Sequence, residues 1–212
     1  MGGVTMPEPT RPETPAPWNR GKLTGQKPPL KPKEVWSIRV RLQIAGKLRE
    51  LALFNLAIDS KLRSCDLVRL KVSDVAIGTT IKARAAVVQQ KTGRPVPFEL
   101  TEPTREALHA WIDERGLRPG DFLFPSRYPA VPHLSTRQYA RLVDRWIASI
   151  GLNPSDYGTH SLRRTKVAQI YRETGNLRAV QLLLGHTKIE STVRYLGIDA
   201  DDALRLAEQV EM

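Results

Sequence analysis

The sequence HSLRRTKVAQIYRETGNLRAVQLLLGHTKIESTVRY, residues 160–195, decides how the fold of this chain is interpreted. It contains His160 and Arg163 three residues apart, then His186 after a Leu-Gly pair, then Tyr195 nine residues later. Residues three apart lie on one face of a helix, so His160 and Arg163 are expected to point into the same site. Tyr195 lies about two and a half helical turns beyond His186. The stretch predicts a helical segment that binds a phosphate group and attacks it.

Two earlier residues extend this set: Arg63 in KLRSCDL and Lys91 in QQKTGRPVPF. A guanidinium stays protonated, and its planar fork can bond two phosphate oxygens and stabilise a pentacoordinate transition state. A lysine on a turn can reach a departing oxygen and give it a proton, and a deprotonated tyrosine is a nucleophile. His160 and His186 lack an H-x₃-H or CxxC pattern, so no metal site is expected. The set suits phosphodiester cleavage without metal.

The composition favours a nucleic-acid partner. The chain has 212 residues, which suggests one main domain, and its formal net charge is +11. It contains no apolar run long enough to span a membrane, so membrane association is not expected. The N-terminus lacks the apolar stretch of an export signal, and the single cysteine, Cys65, cannot form an internal disulfide. These features predict a cytoplasmic protein.

A proline-rich arm is expected to precede the main domain. Half of the 16 prolines fall at or before Pro32, so residues 1–33 are predicted to be an extended, partly disordered basic arm. In this arm Arg20, Lys22 and Lys27 are candidates for contacts with a DNA backbone, and a solubilising tail is the alternative. Residues 34–212 then form the main domain.

Hydrophobic periodicity predicts a predominantly helical α+β fold. Two helices follow Glu34 and break near Ala45-Gly46, and Asp59-Ser60 is expected to cap a third helix that carries Arg63. Residues 71–100 change to the period of strands and predict a small three-stranded antiparallel sheet, with Lys91 in its second turn. Further helices are predicted over 103–114, 136–150, most of 160–195, and 199–210.

The order of the site residues resembles that of a known family. Arg63, Lys91, the HSLR motif of His160 to Arg163, the Leu-Gly-His motif ending at His186, and Tyr195 match the catalytic set of the tyrosine recombinases, the phage-integrase family. The resemblance covers roughly residues 35–212. The flanking segments LRSCDLVRLKVSDV, QQKTGRPVPF and HSLRRT resemble the corresponding family segments as well.

This resemblance implies a role for each residue. Arg63, Arg163 and His186 would hold the scissile phosphate, and His160 would assist proton transfer. Lys91 would protonate the leaving 5′-hydroxyl, and Tyr195 would become a 3′-phosphotyrosine. The covalent bond keeps the energy of the phosphodiester, so no ATP, metal or other cofactor is expected. Asp66 would support the site, and Arg164 would contact DNA.

The resemblance also implies partners. They are double-stranded DNA at a specific site, a homotetramer on two duplexes, and accessory DNA-bending proteins. Residues 201–212 are a candidate for the helix that family members pass to a neighbouring protomer. In having only an arm where most relatives carry a core-binding domain, the chain is similar to the short recombinases that invert fimbrial promoters. Lys61 stands where the family commonly has glycine and is expected to shift the local turn.

Two other readings stay open at this point. The segment RETGNLRAVQLLLGHTKIESTVRYL could form a helix-turn-helix in a non-catalytic DNA-binding regulator. A type IB topoisomerase would share the chemistry. DNA binding alone has no use for His160 or Tyr195, and the size and motif contexts favour the recombinase.

Overall fold

The computed structural model describes residues 26–128 and 130–196. The candidate DNA contacts Arg20 and Lys22 and the candidate exchanged helix 201–212 lie outside the described residues. So does the helix predicted over 199–210. Among the described residues, no helix has the length and apolar character needed to cross a membrane.

The described part of the chain is mostly helical. Its α-helices are α1 Pro32–Ile44, α2 Leu48–Ser60, α3 Ser64–Leu67, α4 Val72–Val75, α5 Glu102–Arg115, α6 Thr136–Ser149, α7 Thr159–Thr174, α8 Leu177–Leu184 and α9 Ile189–Leu196. Its strands are β1 Ala76–Ile77, β2 Thr80–Ile81, β3 Arg84–Val88 and β4 Pro95–Glu99. The predicted predominantly helical α+β class is confirmed.

Helix α2 is the centre of the fold. Every residue from Leu51 to Ser60 is buried, and α2 packs against α1, α5 and α7. The predicted break between the first two helices is confirmed. Helix α1 begins at Pro32, inside the predicted arm, because proline suits the first helical turn and the Glu34 carboxylate accepts the Lys31 N–H at 2.8 Å. Leu30, inside the predicted arm, is only 2 % exposed and packs into the main core.

The predicted cap at Asp59-Ser60 is wrong. Helix α2 runs through both residues and ends at Lys61, which has left-handed backbone angles (φ 55°, ψ 21°). Lys61 thus forms a left-handed turn that costs a non-glycine residue about 1 kcal/mol. Two carboxylate oxygens of Glu99 accept hydrogen bonds from the buried Lys61 ammonium, at 2.8 and 2.7 Å. Arg63 itself is the N-cap residue of the short helix α3.

Asp59 belongs to an ionic network instead of a cap. The Lys166 ammonium of α7 donates to Asp59 at 2.8 Å and lies 2.6 Å from Glu99. The other carboxylate oxygen of Asp59 accepts hydrogen bonds from the N–H and hydroxyl of Thr101 and from the hydroxyl of Thr104. This network joins the C-terminal end of α2 to α5, α7 and β4.

The predicted three strands are divided between two short antiparallel ladders, β1–β2 and β3–β4. Residues 72–75, expected to start a strand, form α4, where Asp74 accepts the Lys71 N–H at 2.8 Å. In β4 the N–H groups of even-numbered residues face β3, since Leu100 donates to Ala83. The odd-numbered residues therefore face the outer edge of β4, where Pro95 and Pro97 have no N–H to donate. A third strand cannot pair with that edge.

The C-terminal helices form a small core of their own. Val167 of α7 and Val180 and Leu184 of α8 are fully buried together, and Tyr195 of α9 packs against them. This cluster is separate from the main core around α2. Helix α9 is consequently attached through far fewer buried apolar side chains than α2, which makes it an element that can move at low cost.

Candidate active site

Arg63 and Asp66 lie at the start of α3 and connect it to the β3–β4 hairpin. The Arg63 guanidinium donates to the side-chain oxygen of Gln89. Asp66 is 3 % exposed, and one of its oxygens accepts the Gln90 N–H at 2.9 Å. The other oxygen is buried and has no partner among the described residues. Asp66 thus anchors the turn that carries Lys91.

Lys91 lies exposed at the tip of the β3–β4 turn. The turn closes through hydrogen bonds from Gly93 N–H to Gln89 O at 2.8 Å and from Gln89 N–H to Arg94 O at 2.9 Å. Gly93 has a positive φ of 63°, which glycine adopts without strain. Anchored at its base and free at its tip, the turn leaves the ammonium able to reach a neighbouring ligand.

His160 and Arg163 occupy the first turns of α7. Arg163 is 4 % exposed and donates from Nη2 to the carbonyl of Leu184 at 3.2 Å, so it joins α7 to the end of α8. Its Nε is buried without a partner in the described structure. His160 is exposed at the helix start. The two residues share a helix face, as the spacing predicts.

His186 follows Gly185, whose left-handed backbone (φ 66°) ends α8. A Cβ at Gly185 would lie 2.5 Å from Cγ2 of Val96, so a larger residue does not fit between α8 and the hairpin. The ring of His186 is oriented by its Nδ1, which lies 3.1 Å from the Thr192 hydroxyl of α9. Glycine therefore permits the sharp turn that aims His186 toward α9, the helix that carries Tyr195.

The Tyr195 side chain is enclosed by the other site residues. Its ring packs edge-on against His186 at a centroid distance of 5.4 Å. The guanidiniums of Arg163 and Arg164 lie 5.6 and 4.9 Å from the same ring centroid. Its hydroxyl is buried and has no hydrogen-bond partner among the described residues. The tyrosine is thus next to the cationic groups it would need, with its oxygen unengaged.

Burial and positive charge set the protonation of the site. Burial raises the pKa of Tyr195 to about 12, although Arg163 and Arg164 act in the opposite direction. Burial lowers the pKa of His186 to about 4, with further lowering by Arg163 and Arg63. Burial and the neighbouring arginines also lower the pKa of His160. At neutral pH the imidazoles of His160 and His186 are therefore uncharged and able to accept a proton, while the Tyr195 hydroxyl stays protonated.

Four predicted catalytic residues line one open cleft of about 350 Å³: Arg63, Lys91, His186 and Tyr195. Arg163 contacts this cleft through the Tyr195 ring. His160 is not part of the cleft wall. The fold thus gathers residues from α3, the hairpin, α7 and α9 that are up to 132 positions apart in the sequence, from Arg63 to Tyr195.

The predicted DNA contacts Lys27 and Arg164 engage each other instead of lying free on the surface. The carbonyl of Lys27 accepts a hydrogen bond from Arg164 at 2.5 Å, and the Lys27 ammonium donates to the carbonyl of Tyr157. Arg164 is 7 % exposed and its guanidinium covers the Tyr195 ring. Arg164 therefore packs against Tyr195, and its contact with DNA stays a prediction.

Two features were not predicted from the sequence. One is Gln89, a buried amide between Arg63 and the end of α8. The other is a group of four arginines that line one open cavity. These residues form the arginine surface: Arg49, Arg127, Arg141 and Arg145. These arginines come from α2, α6 and the loop between α5 and α6, so no local motif marks them.

Comparison with known proteins identifies the family. The family model described as phage integrase family matches residues 30–201. This chain belongs to the phage integrase family. The tyrosine-recombinase resemblance of the motifs is confirmed.

Curated relatives agree with this assignment. The chain is similar to the probable integrase/recombinase YoeC of Bacillus subtilis, with 29 % identity over 162 residues, covering 76 % of this chain and 84 % of that protein. It is 32 % identical over 167 residues to tyrosine recombinase XerC of Erythrobacter litoralis, covering 76 % of this chain and 50 % of XerC. The chain thus spans about half the length of this XerC relative.

Solved structures share the fold. The XerA recombinase superposes with a TM-score of 0.70 at 20 % identity, covering 88 % of this chain and 64 % of XerA. XerH bound to its difH substrate gives 0.66 at 21 % identity, covering 88 % of this chain and 55 % of XerH. Lambda integrase residues 75–356 bound to DNA give 0.58 at 21 % identity, covering 87 % of this chain and 64 % of that one. The predicted tyrosine-recombinase fold is therefore confirmed.

Proposed function

We propose that this protein is a site-specific DNA recombinase or integrase that cleaves and rejoins DNA through a 3′-phosphotyrosyl intermediate at Tyr195, without metal or ATP. The observation that carries the proposal is the shared cleft of Arg63, Lys91, His186 and Tyr195, with Arg163 against the tyrosine ring. The similarity to relatives named recombinase or integrase, which covers 76 % of this chain, supports it.

Each residue has a step in this chemistry. The guanidiniums of Arg63 and Arg163 bind the non-bridging oxygens of the scissile phosphate and stabilise the charge of the transition state. The Tyr195 oxygen forms a bond to phosphorus while the bond from phosphorus to the 5′-oxygen breaks. Lys91, on its exposed turn, gives a proton to the departing 5′-oxygen. Attack by a 5′-hydroxyl of another strand reverses the sequence and restores Tyr195.

The proton of Tyr195 must leave during the attack, because its pKa of about 12 keeps it protonated in the free protein. His160 and His186 are neutral near pH 7, and a neutral imidazole can accept a proton. A bound phosphodiester also adds negative charge between the arginines and raises the pKa of His186. His186 can then donate a hydrogen bond to the phosphate while His160 assists proton transfer.

The proposed partner is double-stranded DNA at a specific site. The net charge of +11 and the arginine surface support binding of a polyanion. Burial and repulsion from Arg127 lower the pKa of Arg49. This indicates that the positive charges of the arginine surface are not fully balanced by neighbouring carboxylates. A homotetramer on DNA, exchange of residues 201–212 between protomers, DNA-bending accessory proteins and a cytoplasmic location remain part of this proposal.

A nicked suicide duplex tests the proposal. Duplexes taken from repeats flanking the gene should give a covalent protein–DNA adduct with the wild type and none with Tyr195→Phe. Tyr171→Phe is the matched control, since Tyr171 packs in the same small core, and it should form adduct at the wild-type rate. Failure of the wild type on every such site, or adduct from Tyr195→Phe, would overturn the proposal. Relaxation of supercoiled plasmid that lacks a site would indicate a topoisomerase instead.

A further inference from the structure

Gln89 occupies a position that its backbone role does not explain. It is the last residue before the Lys91 turn, and its N–H and C=O already close that turn with Arg94 and Gly93. Its side chain is nevertheless directed inward and the residue is 1 % exposed. A turn of this kind needs only the backbone groups, so the buried amide serves another purpose.

The amide of Gln89 lies between the two site arginines. Its oxygen accepts a hydrogen bond from Nη1 of Arg63 and another from the Thr92 hydroxyl at 3.2 Å. Its nitrogen lies 3.5 Å from the carbonyl oxygen of Leu184, which also accepts Nη2 of Arg163 at 3.2 Å. One continuous chain of polar contacts thus joins Arg63, Gln89, Leu184 and Arg163.

An amide suits this arrangement chemically. The oxygen must accept from a cation while the nitrogen donates to a carbonyl; a carboxylate supplies no donor and a methionine supplies neither group. The side chain is also enclosed, because Gln89 is only 1 % exposed and its amide contacts Arg63, Thr92 and the Leu184 carbonyl. Gln89 is therefore fixed in space before any ligand arrives.

We propose that Gln89 is a positioning residue for the transesterification: it fixes the Arg63 guanidinium and couples the hairpin of Lys91 to the carbonyl that holds Arg163. The inference rests on the proposed function of the cleft. One Nη group of Arg63 is bonded to Gln89, which leaves the remaining donors of the guanidinium oriented for a phosphate. Without this contact Arg63 samples several rotamers, and the transition state loses a preorganised pair of donors.

Single-turnover cleavage of the suicide duplex measures the effect. Gln89→Met keeps the length of the side chain but loses both polar groups, and its adduct should form about tenfold to hundredfold more slowly at saturating DNA. DNA affinity should change by no more than about twofold, because many phosphate contacts contribute to the binding free energy. Val88→Ala, at the adjacent exposed position on β3, is the matched control and should cleave like the wild type.

A second variant guards against loss of folding. Gln89→Glu keeps the size and the acceptor for Arg63, and its ion pair with Arg63 offsets the lost donor to the Leu184 carbonyl, so its melting temperature should stay near that of the wild type. It should still cleave slowly, since its negative charge competes with the phosphate for Arg63. Wild-type cleavage rates in both variants would overturn the assignment.

A double-mutant cycle separates positioning from a merely structural role. If Gln89 acts through Arg63, adding Gln89→Met to an Arg63→Lys protein should slow cleavage further by less than about threefold. An equally large loss in both backgrounds would refute the coupling while leaving the function of the cleft intact. A wild-type protein that forms no adduct would overturn both the proposed function and this assignment.

Discussion

Acid should destabilise this protein through His186 before most carboxylates titrate. Burial and the arginines at 163 and 63 lower the pKa of His186 from its ordinary 6.5 to about 4. Between these values the unfolded chain binds a proton on this residue and the folded chain does not. The contribution of His186 to the free energy of unfolding is therefore complete above pH 6.5, falls as the pH drops to about 4, and is constant below that.

The size of this effect follows from the pKa change. A fall from 6.5 to about 4 corresponds to an upper limit of about 3 kcal/mol. Because the ring is half exposed and solvent screens the arginines, about 1.5 kcal/mol is a better expectation. For a chain of this size that is a loss of about 3–6 °C in melting temperature. His160, whose pKa is also lowered, acts in the same direction.

Thermal unfolding of wild type and His186→Gln at pH 7.0 and about pH 4.5 measures the contribution. The variant, which cannot titrate at this position, should lose less melting temperature on acidification than the wild type. His109→Gln, on α5 and outside the cleft, is the control and should follow the wild type. If His186→Gln lost as much stability as the wild type over this range, the burial and charge assigned to His186 would be wrong.

Two further predictions concern backbone positions that support the site. Lys61→Gly should be more stable than Lys61→Ala by about 1 kcal/mol in urea unfolding, because only glycine adopts φ 55° without strain while both variants lose the Glu99 contact; equal stabilities would show that the left-handed turn carries no strain. Gly185→Ala should cost about 1–3 kcal/mol and slow adduct formation, since its Cβ would meet Val96 at 2.5 Å. Adding Val96→Ala should recover part of the stability, and no recovery would contradict the proposed clash.

Local sequence predicted the parts of the site that depend on short-range geometry. His160 and Arg163 share a helical face because of their spacing, and the Thr-Gly pair after Lys91 marks a hairpin turn. The Leu-Gly before His186 marks a helix end, since glycine takes the left-handed angles there. These inferences hold because each depends on a few neighbouring residues and on the fixed period of a helix or a turn.

Other parts depended on contacts between distant segments and were missed or misplaced. Asp59 looked like a helix cap, but Lys166, 107 residues away, pairs with it inside the fold. The packing of Arg164 against the Tyr195 ring and the Lys27 carbonyl also could not be predicted from its neighbours in the sequence. A polar side chain near a turn has the same local signature whether it caps a helix or joins a buried network, because its partner is chosen by packing.

The sequence alone predicted the chemistry proposed for this protein, from two arginines, two histidines, a lysine and a tyrosine in the order typical of the tyrosine recombinases. The tertiary structure decided how that chemistry is organised. It brought Gln89 between Arg63 and the Leu184 carbonyl, closed the tyrosine hydroxyl away from solvent, and set the imidazoles neutral. These properties come from desolvation and from hydrogen bonds across long sequence separations, which exist only once the helices and the hairpin have packed.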